Sequence, residues 1–145
     1  MELEKLERFL TAQNESYLRA IAEVSAGYKR THWMWYIFPQ LQGLGKSETA
    51  QYFGLSGLDE AAGYLRHPIL GANLREITSA LLSIQDRSAQ EIFGSPDEMK
   101  LHSCMTLFAR IPGADEIFRD VLIKYYGGQE DELTLTILNE GTSGR

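Results

Sequence analysis

Residues 29–45, Lys-Arg-Thr-His-Trp-Met-Trp-Tyr-Ile-Phe-Pro-Gln-Leu-Gln-Gly-Leu-Gly, constrain the fold more than any other stretch. Both tryptophans, Trp33 and Trp35, stand here beside Tyr36 and Phe38, and so dense an apolar run has to be covered by the rest of the chain. By periodicity alone a run this short suits a strand or a buried helix. Thr31 as a helix cap and Pro39 as a stop favour a short helix over residues 32–38. A helix apolar on nearly every face is an interior one. Gln40 to Lys46 then form a glycine-punctuated loop.

The remainder of the chain reads as helices that can do the covering. Residues 2–12 carry Leu3, Leu6 and Leu10 on one stripe, with Glu2 and Glu4 at the end the helix dipole favours. Asn14 caps a second helix over 15–26, built on Tyr17, Ile21 and Val24 and ended by Gly27. Ser47 caps a short helix to Phe53, closed by Gly54. Ser56 or Gly57 starts another, with Leu58, Ala61, Ala62 and Leu65 inward. His67-Pro68 breaks the chain, because a residue before proline avoids helical geometry. Residues 69–84 are the clearest helix, with Leu70, Leu74, Ile77, Leu81 and Ile84 on one stripe.

Ser88 opens a one-turn helix to Phe93. Ser95-Pro96-Asp97-Glu98 combines a serine cap, proline at the first helical position and glutamate three residues after the cap, and starts a helix running to about Arg110. Residues 115–126 form the next, with Ile117, Val121 and Tyr125 on one face. Leu133 to Leu138 alternates with threonine as a strand would, but Asp131 as a cap favours a final short helix. The expectation is one all-α, multihelical domain over residues 1–145, with roughly seven to nine helices and the central ones buried.

A net charge of −6 disfavours nucleic-acid binding, which needs a basic stripe, and the longest basic cluster is Lys29-Arg30. The acidic, amphipathic N-terminus does not read as a signal peptide, and no apolar run is long enough to span a bilayer. The single cysteine, Cys104, suits a reducing compartment. A cytoplasmic protein without nucleic-acid or membrane partners is expected, with the monomer favoured.

Several residue groups invite a chemical reading. Gly43-Leu-Gly45-Lys46-Ser47 resembles the end of a phosphate-binding loop, but Gln40 stands where that loop needs its first glycine. A tight turn is the simpler reading. His32, Trp33, Trp35 and Tyr36 could form an aromatic wall with a polar handle. Trp33 and Ile37 fit the core better, whereas His32, Trp35 and Gln40 suit pocket and core equally. In the helix after Pro96, Leu101, Cys104, Met105, Leu107, Phe108 and Ile111 share one apolar arc, and Asp97 and Lys100 fall on it. Lys100 is then either the base of an anion-binding pocket or the partner of Asp97 in an i,i+3 ion pair, its stem reaching outward. Cys104 reads as a buried inert thiol. His32, His67 and His102 have no metal-ligand spacing, and His67 before Pro68 suits the tying of a turn. No Ser-His-Asp order or paired-carboxylate spacing assigns a catalytic residue, and no metal or cofactor is implied.

Lys29-x-x-His32-Trp33-Met34-Trp35-x-Ile37-Phe38-Pro39-Gln40, followed by Gly43-Leu44-Gly45 and Ser47, resembles the opening signature of the family called domain of unknown function 1810. The likeness continues in Tyr64-Leu65-x-His67-Pro68-x-Leu70-Gly71, in Asp97-x-x-Lys100-Leu101-x-Ser103-x-Met105-Thr106-Leu107-Phe108, and in Asp131-x-x-Thr134-Leu135. The resemblance implies a small, mainly bacterial, all-α protein and no established activity. Some members are called calpastatin, but calpain inhibition belongs to long, disordered, repeat-bearing chains unlike this one. Tyr36, Asn73 and His102 depart from the family pattern, which more often has phenylalanine and arginines there. His32, Gln40, Ser47, His67, Asp97 and Lys100 are polar positions of the resemblance, and with Trp35 they form the candidate ligand site. The expected function is binding, or binding and transformation, of a small anionic or aromatic ligand beside the tryptophan-rich helix. Lys100 would meet the anion, Trp35 would stack on a ring, and His32 or Gln40 would orient the ligand. The alternative is a protein-interaction module using exposed aromatics of the same stretch.

Overall fold

The first element is one long helix, not two. The structure, a computed structural model, describes residues 2–143 and the side chains of residues 5–140. Helix α1 (Glu2–Ser25) runs unbroken through Asn14, which sits exposed in its interior and caps nothing. Leu6, Phe9, Gln13, Ala20 and Val24 are all buried and follow one another at helical spacing. Asparagine in a helix interior costs only about 0.7 kcal/mol relative to alanine, less than burying one leucine or phenylalanine contributes, at about 1.5–3 kcal/mol. Packing therefore carries the helix past a residue that would otherwise start a new one. Leu3, Glu2 and Glu4, invoked for the first stripe, lie outside the described side chains. Gly27 ends the helix in the left-handed conformation, at φ +79°.

Among the described residues eight further helices follow: α2 (Met34–Ile37), α3 (Glu48–Phe53), α4 (Leu58–Arg66), α5 (Leu70–Ser83), α6 (Ala89–Phe93), α7 (Asp97–Ala109), α8 (Ile117–Tyr126) and α9 (Glu132–Ser143). The fold is all-α. The alternation over 133–138 belongs to α9, whose start is capped by Asp131: its Oδ2 accepts from the Thr134 amide at 3.0 Å and the Thr134 hydroxyl at 2.6 Å. Ser47 caps α3 by accepting from the Ala50 amide, and Ser88 and Glu91 form a reciprocal capping box on α6. The start of α7 departs from expectation. Ser95 does not cap it; Pro96 takes the cap position and the helix begins at Asp97.

Two central helices organise the core. α5 packs against α1, α4 and α8, with Leu70, Leu74, Ile77 and Leu81 buried and Ile84 buried just beyond its end. α7 packs against α4, α6, α8 and α9. Its expected apolar arc is buried in full, and so are Ser103 and Thr106 on the opposite, more polar side of the helix. The start of α9 covers that side. The Ser103 hydroxyl donates to Asp131 at 3.2 Å, and the Asp131 amide donates to the Thr106 hydroxyl at 2.9 Å, so burial leaves neither hydroxyl unpaired. Cys104 is buried here, and burial pushes its thiol pKa up, away from the reactive thiolate.

The loop after α2 is held from both sides. Leu55 donates to the Gln40 carbonyl and Gln42 to the Leu55 carbonyl, each at 2.8 Å, forming an isolated bridge between Leu41 and Leu55. No helix among the described residues is long and apolar enough to cross a membrane.

Candidate functional site

The tryptophan-rich stretch is fixed at its start by one carboxylate. Glu23, near the end of α1, accepts from the Arg30 amide (2.8 Å), the Thr31 amide (3.1 Å), the Thr31 hydroxyl (2.8 Å) and the Trp33 indole N–H (2.9 Å). Burial alone would raise the Glu23 pKa, but hydrogen bonds from Arg30, Thr31 and Trp33 outweigh it and bring the value from 4.5 to about 2. Thr31 therefore serves Glu23 and does not cap α2, which begins only at Met34. His32 lies before the helix, so it does not share a helical face with Tyr36. Its ring is exposed, and its contribution to the fold is a backbone carbonyl that accepts from the Tyr36 hydroxyl at 3.4 Å.

From that anchor the stretch sends its residues in two directions. Trp33, Met34, Ile37 and Phe38 enter the core, with Trp33 only 1% exposed. Trp35 stays half-buried at the surface. Lys29 donates its amide to the Ile92 carbonyl of α6 at 2.7 Å, which brings its side chain to the first turn of α7.

There Asp97 stands between two ammonium groups. Lys29 Nζ is 2.8 Å from Asp97 Oδ2, and Lys100 Nζ is 3.4 Å from Asp97 Oδ1. Lys29 also lies 5.0 Å from the Trp33 ring centroid, and Lys100 lies 4.8 Å from that of Trp35. The i,i+3 pairing of Asp97 with Lys100 is thus present, and Lys100 also lies over the Trp35 ring. The Lys29 side chain is 7% exposed and that of Lys100 is 25% exposed, which separates their roles. Lys29 is the inner, closer partner that holds Asp97. Lys100 is the outer cation, more loosely paired, with ammonium protons free to meet a further acceptor.

The remaining candidates fall elsewhere or into structural roles. Gln40 joins Trp35, Leu41, Gly45, Ala50, Phe53 and Gly54 around a recess of about 10 Å³, room for about one water molecule. Ser47 is occupied as the α3 cap. His67 Nδ1 accepts from the Ile69 amide (3.1 Å) and the Leu70 amide (3.3 Å), tying the turn into α5. His102 stacks on Tyr126 at 4.1 Å, and its Nε2 donates to the Gln129 carbonyl at 2.7 Å. Among the described residues no three of His, Cys, Asp and Glu are placed to share a metal ion.

Asp97, Lys100 and Trp35 stand out in the sequence as site candidates, whereas Lys29 and Glu23 do not. Lys29 had a signal: it is the first residue of the motif, and an aspartate on an apolar arc needs a cation. Glu23 had none, since its role depends on the chain turning back after Gly27. Because Lys29 and Asp97 are largely sheltered from water, their pair is screened less than a surface pair. Lys29→Met is expected to destabilise the protein by about 2 kcal/mol. In a urea-denaturation cycle with Asp97→Asn, the expected coupling is about 1–3 kcal/mol. Additive single and double mutants would show that the pair contributes nothing.

The family described as protein of unknown function DUF1810 matches residues 3–138. The crystal structure of a conserved hypothetical protein, Rv1873, from Mycobacterium tuberculosis is similar at 50% identity and a TM-score of 0.91, over 92% of this chain and 96% of that one. Among curated proteins none matches significantly. The helical architecture is thus shared with that structure over nearly the whole chain, and the chain belongs to the DUF1810 family.

Proposed function

We propose that this protein binds a small ligand carrying an anionic group and a planar ring on the face where Lys100 meets Trp35. The observation that supports it is the outer ammonium, 4.8 Å from the half-buried Trp35 ring and paired at 3.4 Å with an aspartate that Lys29 already neutralises. Two ammonium groups on one carboxylate leave a local excess of one positive charge in a chain whose net charge is −6. A ligand anion would take the protons of Lys100 that Asp97 does not use, and its ring would lie along Trp35. The recess beside Trp35 holds about one water, so the ligand would lie across the surface of this face and not inside a deep cavity. His32, exposed at the edge of the stretch, and Gln40, at the recess, would orient it.

The interaction-module reading needs exposed aromatics in the same stretch. Trp33 and Phe38 are buried and Trp35 and Tyr36 half-buried, which favours the small-molecule reading. The test is thermal-shift titration with phenyl phosphate. The expected result is a saturable rise in Tm, weakened at least tenfold in Lys100→Met and in Trp35→Leu, and about threefold in His32→Ala. An equal rise in Lys100→Met would remove the lysine from the site and end this reading.

A further inference from the structure

A groove of about 720 Å³ lies away from that face, between the middle of α1 and the start of α5. Its floor is a chain of hydrogen-bonded amides whose orientation the geometry settles. Gln13, only 4% exposed, donates from Nε2 to the Tyr36 carbonyl and reaches the Tyr64 hydroxyl, both at 2.8 Å. A backbone carbonyl can only accept, so the nitrogen of the Gln13 amide must be on that side. Its Oε1 then faces outward and must receive a proton, which Asn73 Nδ2 supplies at 3.0 Å. That fixes the Asn73 amide as well. Its Oδ1 and its second amide proton have no protein partner among the described residues, and Asn73 is half-buried in the groove wall.

Tyr17 closes one side. Its hydroxyl donates to Glu76 and lies 3.1 Å from the Asn73 carbonyl, which braces the turn carrying Asn73. Leu18 and Ile69, 81% and 54% exposed, form apolar walls. Glu15 is the one charged residue in the lining, and no cation faces it there.

We infer that this groove is a second binding site, for an uncharged small molecule whose polar end carries both a donor and an acceptor, as a primary carboxamide or a lactam ring does, and whose remainder is apolar. The free oxygen and proton of Asn73 pair with such an end, and the buried Gln13 network holds them in place beforehand, so little ordering is needed on binding. Leu18 and Ile69 cover the apolar part. Glu15, the one charge in the lining, turns anions away.

The test uses benzamide as probe and benzoate as its charged counterpart, read through the side-chain amide resonances of Asn73 and Gln13 in nitrogen–proton correlation spectra. Benzamide is expected to shift both pairs of resonances saturably in the millimolar range, with benzoate at least tenfold weaker. Asn73→Leu should weaken benzamide binding at least tenfold. Leu18→Asp, at an exposed position the fold does not use, should weaken it severalfold even if the Asn73 variant is poorly folded. Lys100→Met should leave it unchanged, which separates this groove from the Trp35 face. Asn73 resonances that do not move at about 20 mM benzamide overturn the inference, as does benzoate binding equally well.

Discussion

Gly71→Ala is expected to destabilise this protein by about 3 kcal/mol or more, reversing the sign that such a change ordinarily has. Inside a helix, replacing glycine by alanine usually stabilises by about 0.5–1 kcal/mol, because alanine loses less backbone freedom on folding. Gly71 is the second residue of α5, where that gain should apply. Here a Cβ would lie 2.0 Å from the Leu65 carbonyl oxygen and 2.9 Å from its carbon. The obstacle is backbone of α4, which cannot rotate aside as a side chain would.

Relief would require α4 and α5 to separate. Both are pinned near the contact, α4 by the buried Ala61, Tyr64 and Leu65 and α5 by the buried Leu70 and Leu74. The Leu65 carbonyl also accepts from Arg75 Nη1 at 3.3 Å, and the Arg75 side chain pairs with Asp115 at 3.0 Å, so moving it disturbs a second tie. Overpacking a core usually costs about 1–3 kcal/mol, and a clash with backbone belongs at or above the top of that range. Urea denaturation of Gly71→Ala, with Gly57→Ser as control, measures it. At Gly57 an added Cβ meets nothing within 4 Å and the residue occupies the α4 cap position, so serine there should be neutral or slightly stabilising. A Gly71→Ala midpoint equal to the parent's would mean that the two helices are not held this tightly.

Gly71 also shows what the sequence discloses and what it withholds. Its place in the His67-Pro68-x-Leu70-Gly71 motif was visible, but the reason lies in the approach of two helices, which no local pattern encodes. The same division holds elsewhere. α5 was legible because its apolar stripe is uninterrupted, and α3 and α6 because Ser47 and Ser88 are strong caps. α1 was split because Gln13 interrupts the apolar stripe just before Asn14, and a polar residue buried for its hydrogen bonds looks in a sequence like a solvated one. Ser103 and Thr106 are polar residues buried on α7 for the same reason. At the candidate face, Asp97 and Lys100 were found because charged residues on an apolar arc contradict the helical pattern. Glu23 contradicts nothing locally, and its importance comes from donors that arrive after the chain reverses.

Glu23 therefore carries the second large prediction. Glu23→Ala is expected to destabilise the protein by about 3 kcal/mol, because it leaves the buried Trp33 indole N–H and the Arg30 and Thr31 amides without their acceptor, at about 1–3 kcal/mol for a buried group and less for the others. Glu23→Gln keeps the shape and one carbonyl oxygen and isolates the charge. Since folding lowers the Glu23 pKa from 4.5 to about 2, the charge-dependent part of its stabilisation is complete above pH 4.5 and is lost as pH falls towards 2. The full shift would correspond to about 3.4 kcal/mol at about 1.36 kcal/mol per pH unit. The carboxylate keeps partial contact with water, so screening reduces this to about 1–2 kcal/mol. Glu130, held down by Arg110, produces an acid-dependent loss of the same sign, so the parent alone cannot isolate Glu23. The informative quantity is the stability of the parent minus that of Glu23→Gln, measured in urea at pH 7, 4.5 and 3. It should hold steady from pH 7 to about 5 and shrink by about 1 kcal/mol by pH 3. A difference that stays constant down to pH 3 would mean that neutral glutamine serves the start of the tryptophan stretch as well as the carboxylate does, and that shape alone positions Trp33.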